Sequence, residues 1–194
     1  MAATLPVTGD PEADQLLEDD PLALILGMML DQQVPMEWAF IGPYRLLGRL
    51  GRLDAGEIAA MAPADLEAAF KGPPAVHRFP GSMAKRAQAL CQALVDDYGG
   101  DAAAVWAGVT SGAELFARVH ALPGFGVEKA KIFTALLANR FGVAPPGWEA
   151  ATAPFSDEQP RSVADIGSAE ELVQVRAWKK KMKAAGKSKQ DSPA

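Results

Sequence analysis

The chain has 194 residues, which suits one domain or two small helical lobes, and its 49% hydrophobic content is enough for a sizeable core. The formal charge of −5 does not announce a nucleic-acid binder, but residues 161–194 hold eight Lys/Arg and four Asp/Glu, a balance of +4 that leaves −9 for the first 160. The single cysteine, Cys91, excludes an internal disulfide and a four-cysteine iron–sulfur cluster; two histidines are too few for an ordinary histidine metal site; and no apolar run is long enough to span a bilayer.

Alanine and leucine dominate and β-branched residues are sparse, so an all-α fold is expected. Residues 1–19 read as a flexible acidic leader, with at most a short helix over 12–18. A helical domain is expected over residues 20–185. Asp20 is placed to cap a helix whose first residue is Pro21. Leu22, Leu24, Ile25, Leu26, Met28, Met29 and Leu30 leave this helix no polar face, which predicts burial on every side. It stops abruptly at Asp31-Gln32-Gln33-Val34-Pro35. A second helix is predicted over 36–50, with short ones near 55–61 and 63–70. Residues 71–81, rich in proline and glycine, read as a loop, with His77 and Arg78 as possible phosphate contacts. Ser82 is the predicted cap of the helix that follows, to about residue 98. After a short helix carrying Val105 and Trp106, a pair of helices spans about 114–141. Residues 142–160 hold four prolines and read as a long loop. A last helix is predicted over 168–185, and 186–194 as a disordered tail. Trp38, Trp106 and Trp178 fit helix stripes and are expected in the core.

The helix pair is joined by Leu122-Pro123-Gly124-Phe125-Gly126. Glycines there permit backbone conformations that side chains forbid and leave room for another backbone to approach. The next helix opens at this point, so its free N–H groups and positive dipole end can receive a phosphate. Lys129 and Lys131 add charge within the first turns. Leu122, Gly124, Phe125, Gly126, Lys129 and Lys131 are therefore candidate contacts to a DNA backbone, made without reading bases.

This hairpin resembles that of the HhH-GPD superfamily, the endonuclease III-like and AlkA-like DNA glycosylases. The resemblance extends to Asp20-Pro21-Leu22-Ala23-Leu24-Ile25-Leu26-Gly27-Met28-Met29-Leu30-Asp31-Gln32-Gln33, similar to the buried helix that opens their catalytic core. It also extends to Phe79-Pro80-Gly81-Ser82-Met83-Ala84-Lys85-Arg86-Ala87, similar to their loop-then-helix with a Lys-Ala pair. Together these cover residues 20–142, most like a small actinobacterial-type branch of the superfamily. The resemblance implies a two-lobed helical fold with a cleft, and a DNA glycosylase acting on a damaged or deaminated base extruded from the stack, the alternative being a non-catalytic DNA-structure binder that has lost the catalytic acid. Gln32 or Gln33 would fill the vacated space. The implied partner is double-stranded DNA carrying a damaged base, met by a monomer in the cytoplasm at the nucleoid, with no membrane. No cofactor or iron–sulfur cluster is implied, beyond a structural monovalent cation on the hairpin carbonyls.

Two positions depart from the family's pattern. Bifunctional members carry an amine nucleophile two residues past the second hairpin glycine, where this chain has Glu128; Lys129 lies one residue further, turned about 100° around the helix, so monofunctional hydrolysis is expected. The family's Val-Asp-Thr-His type motif is absent. Asp165, in Ser162-Val163-Ala164-Asp165-Ile166, is one candidate for its aspartate; Glu149, in Pro145-Pro146-Gly147-Trp148-Glu149, is another, and Asp157 a third. Trp148 and Phe155 are candidates for stacking on an extruded base. The run Lys179-Lys180-Lys181 with Lys183 reads as a solvated face that can add sequence-independent attraction to DNA.

Overall fold

The computed structural model describes residues 4–191. Within them every regular element is helical, and no strand occurs. The chain divides into two compact units, one of residues 8–108 with 121–125, the other of residues 4–7, 109–120 and 126 onward.

The first unit opens with α1 (Pro11–Asp19), capped by Asp10, whose carboxylate accepts from the N–H groups of Glu12 and Ala13. Ala13 and Leu17 are buried, and α1 packs on the two helices that follow. The expected flexible leader is therefore ordered from residue 4, its first three residues lying outside the described ones. Leu5, Val7 and Leu17 supply apolar surface to bury, and Thr8 donates its backbone N–H to Asp14 at 2.8 Å. In α2 (Pro21–Leu30), Asp20 accepts from Leu22 and Ala23 at 2.8 and 3.2 Å, and all nine residues after the proline are buried. Gly27 admits α3 (Met36–Leu50) at close range, since a Cβ there would lie 2.8 Å from the Phe40 ring.

Short helices α4 (Ala55–Ala60) and α5 (Pro63–Lys71) pack on α6 (Pro80–Tyr98). Helix α6 begins two residues before the expected cap Ser82. Pro80, which needs no N–H partner, takes the first position behind Phe79. A 3-10 turn at Ala102–Val105 completes this run.

The second unit is built from α7 (Gly112–Ala121), α8 (Val127–Phe141), α9 (Trp148–Thr152) and α10 (Ala169–Ala184). The expected long loop 142–160 contains α9, which packs on α8. Gly147, at φ +79°, turns the chain into α9. The expected disordered tail is ordered as far as Asp191, with residues 192–194 outside the described ones. Its anchor is Arg161, only 1% exposed, which donates to the carbonyls of Lys189 and Asp191 at 2.9 and 2.6 Å. Asp157 neutralises this arginine through contacts of 2.6–3.0 Å, and the Trp178 ring lies 5.3 Å from the guanidinium carbon.

Candidate nucleic-acid interface

The two glutamines that end α2 have different fates. Gln32 is held. Its side-chain N–H group donates to the Met29 carbonyl at 2.9 Å, and its side-chain oxygen accepts from Arg86, also at 2.9 Å. Its backbone carbonyl faces Nε2 of the fully buried His77 at 2.9 Å. Nδ1 of His77 accepts from the Phe79 N–H at 3.0 Å, so Nε2 carries the proton and donates it to Gln32. Gln33, in contrast, is exposed, makes no hydrogen bond among the described residues and sits at φ +57°. A side chain in that left-handed region costs about 1 kcal/mol, the kind of strain that concentrates at ligand-contacting turns.

Beside this turn is a cavity of about 270 Å³ lined by Gln32, Gln33, His77, Phe79, Met83 and Arg86 among others. Phe79 is 43% exposed, and the Arg78 guanidinium carbon lies 5.4 Å from its ring centre. His77, offered by the sequence as a phosphate contact, is instead a buried brace for the glutamine turn, while Arg78 stays at the surface.

In the hairpin, Leu122 and Phe125 are buried and the Phe125 N–H closes the turn onto the Leu122 carbonyl at 3.1 Å. The two glycines serve different purposes. Gly124 has φ +87°, which the backbone demands; a Cβ there would meet only Met29, at an ordinary 3.5 Å. Gly126 has an unremarkable φ of −67° and open space where a Cβ would go. Its lack of a side chain leaves the start of α8 bare, and no side chain caps that helix.

This contrast gives a first expected result. Gly124→Ala should cost about 1–2 kcal/mol of stability, whereas Gly126→Ala, at the N-cap of α8 with an allowed φ and open space, should cost about 0.5 kcal/mol and weaken duplex binding. Thermal melting and gel shift, run on both variants, check it.

The expected cations divide as well. Lys131 donates to the Ala153 carbonyl at 2.7 Å and so ties the end of α9 to α8. Lys129 is half-buried near the start of α8. Glu128 faces Lys189 at 3.8 Å and accepts from the Gln190 side chain at 3.0 Å.

Asp165 closes a capping box: its carboxylate accepts from the Ser162 N–H at 2.9 Å, while Ser162 caps the 3-10 turn Val163–Asp165. Burial pushes its carboxyl up to about 6 despite those hydrogen bonds and nearby Arg140. It lines a polar cavity of about 210 Å³ with Asn139, Arg140, Asp157, Gln159 and Glu171 among others. Asn139 and Arg140 both donate to the adjacent Ala164 carbonyl, which puts Asp165 toward the far end of α8. At 1.5 Å per residue, that is about 20 Å along the helix from Gly126. Glu149 is exposed on α9, where its carbonyl accepts from Ser156 at 2.8 Å. Trp148 is half-buried, with its backbone tight against Gly112, and Phe155 is buried.

A glycine hairpin leading into an uncapped helix defines a helix-hairpin-helix protein. The sequence model of the HhH-GPD superfamily of base excision DNA repair proteins matches residues 26–192, and the chain belongs to that superfamily. No curated protein gives a significant match. Among solved structures, one similar chain is an endonuclease III trapped as a covalent DNA intermediate, in an estranged-adenine complex. It is 18% identical, the match covers 86% of this chain and 71% of that one, and the TM-score is 0.47. No helix among the described residues is long and apolar enough to cross a membrane.

Proposed function

We propose that the protein is a monofunctional DNA glycosylase, hydrolysing the N-glycosidic bond of a damaged or deaminated base in duplex DNA. The observation that carries the monofunctional reading is Glu128: a carboxylate stands two residues past the second hairpin glycine, and it is already engaged by Lys189 and Gln190. An amine there would attack the sugar and cut the strand through a Schiff base; a carboxylate has no such chemistry. The backbone N–H groups that open α8 would receive a phosphate of the strand, and Gln33 would enter the stack as the target base leaves it.

For the acid, Asp165 is the better candidate. It lines a polar cavity and burial pushes its carboxyl up to about 6, whereas Glu149 lies out in solvent. As a carboxylate it would stabilise the positive charge building on the sugar or take the proton of the attacking water. The distance along α8 means that the hairpin and Asp165 would engage different nucleotides.

The engagement of Asp165 in the capping box favours a second reading, a non-catalytic binder of DNA structure. The two separate in a base-release assay on duplexes carrying uracil, hypoxanthine, alkylated and oxidised purines, with alkali to reveal abasic sites. Base release that needs alkali for strand cleavage is the expected result. Strand cleavage without alkali, with borohydride trapping of the protein on DNA, would sink the monofunctional reading. Duplex binding with no release from any lesion would leave the non-catalytic binder.

The glutamine turn yields another expected outcome. Gln33→Gly relieves the left-handed backbone and should raise stability by about 1 kcal/mol while slowing single-turnover base release. Urea denaturation and rapid-quench kinetics on one preparation measure both.

A further inference from the structure

The ordered C-terminal turn encloses a second cavity, of about 360 Å³, in the second unit. Lys179, Lys183, Lys187 and Lys189 line it together with Glu128 and Trp178. The construction is specific. Ser188 and Asp191 close the turn on each other, the Asp191 carboxylate accepting from the Ser188 N–H at 2.6 Å and its hydroxyl at 2.9 Å. The Lys187 N–H donates to the Met182 carbonyl at 2.9 Å, which folds the turn back on α10. Buried Arg161 then holds the Lys189 and Asp191 carbonyls from beneath.

Four lysines against one glutamate leave this cavity strongly cationic, in a protein whose first 160 residues are strongly acidic. Trp178, 7% exposed, supplies apolar wall to the cavity. Glu128 connects the cavity to the first turn of α8, the helix end to which a strand phosphate is assigned above. The cavity therefore adjoins the start of α8, with the Glu128 carboxylate turned to Lys189 and Gln190.

We propose, resting on the repair reading, that this cavity is a second phosphodiester site, taking a backbone phosphate of the bound strand beside the one at the start of α8. The tail turn is then part of the DNA interface, and Arg161 is the positioning residue that holds it in place.

The test is the salt dependence of binding to an undamaged duplex, read by fluorescence anisotropy. Each lysine–phosphate contact contributes about −0.9 to the slope of log K against log salt concentration. Lys183→Gln/Lys187→Gln/Lys189→Gln should make the slope shallower by about 1 to 2 and weaken binding about tenfold or more at moderate salt. A triple variant with the unaltered protein's slope and affinity overturns the second site, while the repair reading stands. No duplex binding by the unaltered protein, even at low salt, overturns both. Triple-variant loss confined to vesicles of anionic phospholipid, with duplex binding intact, assigns the cavity to a membrane surface and also overturns the proposal.

Discussion

Asp165→Asn is expected to reduce base release by about 10²- to 10⁴-fold while making the protein more stable at neutral pH. The two effects share one cause. The carboxyl, ordinarily near 3.8, is pushed up to about 6 by burial. Between those values the folded protein keeps a proton that the unfolded chain has released, so stability falls as pH rises through the window. The charged form is what the fold disfavours and what the chemistry needs. Asparagine still offers Ser162 an acceptor oxygen but carries no charge to desolvate, so it should gain about 1–2 kcal/mol above pH 7. Urea denaturation at pH 5 and pH 8 should show the native protein losing stability between them and the variant losing less. Base release by the native protein should rise with pH to a plateau above about 6. A variant with full activity would remove Asp165 from the reaction, and Glu149→Gln would then be the next to assay.

The largest effect on stability is expected from Gly112→Ala. A Cβ at this position would lie 2.3 Å from both the Cα and the N of Trp148 and 2.6 Å from the carbonyl carbon of Gly147. All three are backbone atoms, so no rotamer change relieves the clash, and the start of α7 must separate from the start of α9. The Gly112 N–H bond to the Pro146 carbonyl, at 2.9 Å, would be strained with it. The cost should be about 3 kcal/mol or more, a fall in melting temperature of roughly 6–12 °C for a chain of this size. Gly48→Ala is the matched control. Gly48 lies exposed in α3 with nothing near its missing Cβ, and the change should stabilise by about 0.5–1 kcal/mol.

Where a boundary was set by neighbouring residues, it was legible in the sequence. Asp20-Pro21 placed the start of α2, and Gly124 and Gly126 the hairpin. What escaped depended on partners distant in the chain. Whether Gln32 or Gln33 stays free is decided by His77 and Arg86, respectively 45 and 54 residues beyond Gln32. Lys131 read as a surface cation because its acceptor at Ala153 lies in a segment that showed no periodicity. An arginine in a proline-rich stretch ordinarily reads as solvated. The only local hint that Arg161 is buried was Asp157 four residues earlier, and with Arg161 hidden, the order of the tail was hidden too. Residues 1–19 read as flexible because their acidic charge outweighs scattered apolar residues, of which Leu5, Val7, Ala13 and Leu17 are buried.

Helix α2 has a consequence for how the protein fails. From Pro21 to Leu30 it carries no charge, and its nine buried residues are covered on every side only while the first unit is intact. Once that unit opens, the segment becomes an uncharged, adhesive stretch with no polar face to keep separate chains apart. Heated samples will then be lost to aggregation faster than they refold. The useful measure of robustness becomes a half-life at temperature, set by the rate at which the first unit opens.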